Sequence, residues 1–351
     1  MNRYATLLSR TVLSSIKSHI LPRETVNSAS AATGIRHLSV TPATNMKLVQ
    51  FSQNSNPKVR VGFLEGDNVV DINKLDCCLP STLLGILQSG DIEKVKKLKS
   101  TKEALIPLSS VNLEAPITGM DKVLCIGLNY KDHCKEQNLT PPAVPMIFGK
   151  FPSCVVGPKD AVRLRKCLMY ESHGPLSPNW GQLLKQIEHK VDWEVELTVV
   201  IGKKASDVKA KDAFDYIAGY TVAQDISARD WQKERNAGQF LLGKAMDTFC
   251  PIGPCITTSD EIGDPQKLKI QCSVNGVVKQ TSNTDQLVHK IQDVIERLTS
   301  VMTLLPGDII LTGTPGGVGM YRSPPEYLKP GDVIKSEIEN IGELVTRVEA
   351  F

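Results

Sequence analysis

Residues 191–201 read Val191-Asp192-Trp193-Glu194-Val195-Glu196-Leu197-Thr198-Val199-Val200-Ile201, a run with the alternation of a β-strand. On a strand, Glu194 and Glu196 share one face while Val195 and Leu197 share the other. Their carboxylates then lie about 6 to 7 Å apart and point the same way. Alternate acids often face water on an antiparallel strand. Here the strand runs on into an unbroken apolar stretch to Ile201, the pattern of burial on both faces. Buried like charges need a cation or a proton.

Working outward, short strand patterns dominate, at residues 122–126, 194–201, 216–223, 268–274, 308–312 and 332–338, with turns rich in Gly, Pro, Asn and Asp between them. One helix is predicted over 284–304, with Leu287, Val288, Ile291, Val294, Ile295 and Leu298 at helical spacing. Nearer the N-terminus, strands are predicted at 47–51, 59–64 and 69–72 around a 65–68 turn. A helix capped by Ser81 and a lysine-rich helical stretch opened by Asp91 follow. The pattern predicts an α+β, mainly β protein. It has no βαβ alternation and no fixed repeat. We expect a small N-terminal domain over 46–115 and a catalytic domain over 116–351, interrupted by an atypical insertion at 167–190 (CLMYESHGPLSPNWGQLLKQIEHK).

The first 45 residues hold Arg3, Arg10, Lys17, Arg23 and Arg36 against the single acid Glu24, among many Ser and Thr. That is the composition of a mitochondrial transit peptide, and it predicts import to the matrix. Without these six charges the chain has 36 basic and 37 acidic residues. The overall basicity therefore gives no electrostatic support to nucleic-acid binding. No apolar run approaches the roughly 18 residues of a membrane-spanning helix. Nine cysteines lie scattered without a CxxC pair and are read as reduced thiols rather than as zinc ligands.

A third carboxylate, Asp225, ends a predicted strand and precedes a helix predicted over 227–234. An Asp there is also suited to capping that helix. Together, Glu194, Glu196 and Asp225 offer three hard oxygen ligands, which suit Mg²⁺ or Ca²⁺ and suit zinc poorly. For a base, His19 and His37 fall in the leader, His173 and His189 in the insertion, and His289 on the predicted long helix. His133 remains, with Glu136 three residues on, where a helix lets the two hydrogen-bond. The octapeptide around them also carries Lys131, Asp132 and Lys135, the make-up of a solvated helix face. The preceding Gly127-Leu128-Asn129 reads as a hinge for a lid. Arg229, Gln232 and Lys244 follow Asp225, and positive groups near a metal suit an anionic substrate. The segment Leu311-Thr312-Gly313-Thr314-Pro315-Gly316-Gly317-Val318-Gly319 lacks the Lys-Ser/Thr ending of a P-loop. Its backbone N–H groups and the Thr314 hydroxyl suit a carboxylate instead, or the segment is an ordinary tight turn.

In this order, IGLNYKDHCKE, VDWEVEL, AGYTVAQDISARD, LLGK and LTGTPGGVG resemble the fumarylacetoacetate hydrolase domain family, in its mitochondrial oxaloacetate tautomerase-like branch, over residues 46–351. The resemblance implies a layered, mixed β-sheet roll, usually a homodimer. It implies a metal held by Glu194, Glu196 and Asp225, Mg²⁺ with Ca²⁺ or Mn²⁺ as alternatives, and a base dyad of His133 and Glu136. It further implies that Lys244 is catalytic and that Arg229, Gln232 and Thr314 contact a small oxo-acid. Fumarylacetoacetate hydrolase itself has a further metal-binding Asp where this chain reads Cys125-Ile126-Gly127, which argues against that enzyme's own reaction. The expected chemistry is keto–enol tautomerisation of oxaloacetate through a metal-stabilised enolate. Alternatives are acylpyruvate hydrolysis, oxaloacetate decarboxylation, or a catalytically silent metal-binding protein should the insertion disturb the site.

Overall fold

The computed structural model describes residues 46–165 and 190–351. The predicted leader and nearly all of the predicted insertion lie outside these residues. The centre of the fold is a 12-stranded mixed sheet. Its two middle strands, Val195–Ile201 and Ile217–Gln224, are buried at every position. Val195, Leu197, Val199 and Ile201 enter one apolar core, and Val200 enters a second core behind the sheet. Period two therefore holds, and Glu196 shares the face of Val200.

Strand direction brings the motifs to one end of the sheet. Ile309–Leu311 runs parallel to Val123–Gly127, so the segments following both strands emerge together. These are the glycine-rich loop and the helix Lys131–Glu136. Val195–Ile201 is antiparallel to Ile309–Leu311 and to Ile217–Gln224. Its N-terminal acids consequently meet the loop on one side and Asp225 on the other. Strands from the expected N-terminal region join the same sheet, Lys47–Gln53 pairing with Cys250–Thr258. A five-stranded sheet packs beside it, contributing Ile270, Cys272, Ile334 and Leu344 to the first core.

Two helices differ in extent from the sequence expectation, and a third in its cap. The predicted 284–304 helix is a short turn at Thr284–Gln286 and a helix only over Ile291–Thr299. The backbone N–H groups of Val288 and His289 donate to the Asn129 carbonyl and side chain, both at 2.8 Å, and so cannot form helical bonds. Likewise Ser227–Ala228 pairs with Val191–Asp192 as strand, and the helix begins at Arg229. Near the N-terminus Thr82, rather than Ser81, caps its helix, accepting from Gly85 N. Among the described residues no helix is long and apolar enough to cross a membrane.

Candidate active site

Glu194, Glu196 and Asp225 converge, with one carboxylate oxygen from each lying within 4.8 Å of the others. The backbone fixes this meeting. Asp225 N donates to Glu194 O at 2.9 Å, and Glu194 N donates to the Gln224 side chain at 2.9 Å. The ends of the two central strands are thereby clamped together.

Three buried cations meet these acids. Lys244 Nζ lies 2.7 Å from both Glu194 Oε2 and Asp225 Oδ2, and Lys150 Nζ lies 2.8 Å from Asp225 Oδ1. Arg229 reaches Glu194 Oε1 at 2.7 Å and, through Nε, Asp192 Oδ2 at 2.9 Å. Burial pushes the Glu194 carboxyl up, but Lys244 and Arg229 outweigh it and hold the group down at about 2. Burial works against the Lys150 ammonium too, and Asp225 reverses the balance, raising it above the ordinary lysine value.

Glu196 is treated differently. It accepts from Gly313 N at 2.6 Å, and among the described residues it forms no ion pair. Burial, then the charges of Asp225 and Glu194, push its carboxyl well above the ordinary range. A buried carboxylate facing two more acids calls for a cation. The candidate ligand set, three carboxylates, fits a hard divalent ion rather than zinc.

The His133–Glu136 pair forms as helical spacing predicts, with Nδ1 2.6 Å from Glu136 Oε1. His133 and Cys134 are buried while Lys131 and Lys135 are exposed, so the helix is amphipathic rather than wholly solvated. With Nδ1–H given to the carboxylate, Nε2 carries the lone pair and accepts from Gln137 Nε2 at 2.8 Å.

The glycine-rich loop does bring N–H groups to carboxylates, and they are the protein's own. Gly316 N donates to Asp132 at 3.2 Å and Gly317 N to Glu136 at 2.8 Å. Gly319 N and Met320 N donate to Asp192 at 2.7 and 2.9 Å. Gly317 sits at φ +101°, where a Cβ would come 2.2 Å from Lys279 O, so glycine is required there. The Thr314 hydroxyl donates to Val195 O at 3.0 Å and accepts from Gln280 at 2.8 Å. At the predicted hinge, Leu128 has φ 53°. The buried Asn129 side chain donates to Thr312 O at 2.7 Å and to His289 O at 3.1 Å.

One cavity of about 110 Å³ collects His133, Glu194, Glu196, Arg229, Gln232, Lys244 and Thr314, with Gln137, Lys233 and Tyr321 on its wall. That is room for several waters, the scale of a small acid. Asp225 lies beneath, fully buried. Sequence reasoning missed Lys150, Asp192 and Gln280. Asp192 carried a signal, since period two extends the acid face from 196 through 194 to 192. Lys150, alone at the end of the half-apolar strand Met146–Lys150, carried none until its partner was known.

The profile of the fumarylacetoacetate (FAA) hydrolase C-terminal family matches residues 122–349. The mitochondrial oxaloacetate tautomerase of Rattus norvegicus is 46% identical over 311 residues, 88% of this chain and 93% of that protein. Among solved structures, the fumarylacetoacetate hydrolase of Exiguobacterium antarcticum matches with a TM-score of 0.71 at 32% identity, over 87% of this chain and 100% of that one. The maleylpyruvate hydrolase of Sphingobium sp., solved with manganese(II) and pyruvate, matches with a TM-score of 0.66 at 30% identity, over 87% and 99%.

Proposed function

The chain belongs to the fumarylacetoacetate hydrolase family, and on that premise we propose that it is a metal-dependent keto–enol tautomerase of oxaloacetate. The observation that carries this reading is Glu196, a buried carboxylate beside two others and without an ion pair among the described residues. The relative of Rattus norvegicus is named for that activity and for mitochondria.

Glu194, Glu196 and Asp225 hold the metal in this reading. We take the ion to be Mg²⁺, because every ligand is a carboxylate oxygen. When bound, it supplies the positive charge that balances the substrate carboxylate and the adjacent oxygen as protons shift. His133 Nε2 takes the enol hydroxyl proton and returns it to the neighbouring carbon, so atoms balance without a further reagent. Glu136 holds the tautomer that leaves Nε2 free to do this, and substrate replaces Gln137 as its partner. Lys244 is held by Glu194 and Asp225 at the cavity wall, where its charge favours an anion. Arg229, Gln232 and Thr314 shape the same wall, with Arg229 fixing Glu194 for the metal. The acid-poor first 45 residues support the matrix as the compartment, and the family resemblance supports a homodimer.

Following decay of enol-oxaloacetate with purified protein and Mg²⁺ tests the reading. The wild type is expected to exceed the uncatalysed rate and Glu194→Ala to match it. Equal rates for the two proteins would reject the assignment.

A further inference from the structure

The cations nearest the acid cluster are already committed. Arg229 is held by Asp192 and Glu194, and Lys244 by Glu194 and Asp225. Lys233 also lines the cavity, and among the described residues no carboxylate pairs with it. Its Nζ donates instead to the Tyr321 hydroxyl at 2.7 Å and lies 5.1 Å from that ring's centre. A phenol that accepts from an ammonium keeps its own proton for another acceptor. Lysine and tyrosine thus form a two-donor cradle on the wall of an anion site.

The cradle is built by the same acid that orders the cluster. Asp192 grips Arg229, four residues before Lys233 on the helix Arg229–Lys233. It also accepts from Gly319 N and Met320 N, which open the turn carrying Tyr321. Tyr321 in turn packs edge-on to His133, ring centres 6.2 Å apart. The pair is therefore registered against both the base and the acid cluster.

We propose that Lys233, presented by Tyr321, binds the second carboxylate of a four-carbon dicarboxylic 2-oxo acid and makes the site selective for dianions over monoanions. The proposal rests on the reading above for the other end of the substrate. With one carboxylate and the keto oxygen at the acid cluster, the far carboxylate needs a cation, and among the described residues Lys233 is a cavity cation that no acid pairs with.

Deuterium exchange at carbon 3, followed by NMR on the Mg²⁺-loaded full chain, gives kcat and KM for oxaloacetate and for 2-oxobutanoate, which lacks the second carboxylate. Lys233→Met is expected to raise the oxaloacetate KM about tenfold, the scale of one partly desolvated charge pair. Its kcat should stay within about twofold and the 2-oxobutanoate KM should not move. Tyr321→Phe should also raise the oxaloacetate KM by about tenfold, as for one lost hydrogen bond to a charged group. A rise in both KM values alike, which a merely structural role gives, or no rise for oxaloacetate, overturns the proposal. If the wild type exchanges neither acid, the tautomerase reading fails separately, and calorimetry with oxalate and malate decides this one. Weaker malate binding with unchanged oxalate binding in Lys233→Met supports the cradle; equal effects on the two ligands overturn it.

Discussion

The acid cluster and the His133–Glu136 dyad face one cavity but are built in opposite ways. The cluster sits at the ends of two strands that are buried at every position, and its side-chain contacts join residues far apart in the chain, such as Glu194 and Lys244. The dyad occupies one six-residue helix and is joined at i,i+3. A site assembled from buried charges is bound up with stability, because each ion left alone inside costs several kcal/mol. A local pair on a partly exposed helix is tied mainly to chemistry. Changes at the ion-paired members of the cluster should therefore alter folding and metal affinity together, whereas changes in the dyad should alter turnover alone.

The sharpest way to break that contrast is Glu196→Gln. Turnover should fall by about a thousandfold or more, with Mg²⁺ binding lost in calorimetry, since a ligand is removed. The metal-free protein should melt no lower than the wild type, because the carboxyl replaced is buried without an ion pair and its charged form is disfavoured there, so no favourable charge interaction is lost. A clear loss of metal-free stability would show that Glu196 has a cationic partner after all. His133→Ala should cut kcat by about 10²- to 10⁴-fold, the usual range for a lost general base, at unchanged Mg²⁺ affinity. Weakened Mg²⁺ binding in that variant would merge the two regions.

Lys150→Met should cost roughly 3–5 kcal/mol in denaturant unfolding, because Asp225 loses a buried partner. Added Mg²⁺ should restore part of it by mass action. A loss below about 1 kcal/mol would mean that Lys244 alone neutralises Asp225. The smallest effect is expected from Glu136→Gln. It keeps the shape of the pair, and kcat should fall roughly tenfold as imidazole basicity drops, with melting temperature within a few degrees of wild type. A large destabilisation would assign Glu136 to the latch on Gly317 rather than to the base.

Much of this was legible locally. Period two across 191–201 placed Glu194 and Glu196 on one side and the core on the other, and helical spacing joined His133 to Glu136. The strand Cys250–Thr258 was hidden by Pro251 and Pro254, which argue against an interior strand. The structure accommodates Pro254 where the register with Ile217–Gln224 shifts, and it pairs the Pro251 end with Val155–Val156. The 284–304 helix was over-read because apolar spacing says nothing of backbone donors already taken by Asn129.

From residue order alone it follows that Glu194 and Glu196 share a strand face, that Asp225 ends another strand, that a histidine sits one turn from a glutamate, and which family the chain resembles. Those relations lie within a few residues or follow from strand and helix period. Only the tertiary structure decided how the charges are shared: Lys150, Arg229 and Lys244 taken by the acids, Glu196 left without an ion pair among the described residues, and the loop N–H groups turned to Asp132, Glu136 and Asp192. Such pairings join residues tens to nearly two hundred positions apart. No local period encodes them, because they exist only once the sheet has brought its strand ends together.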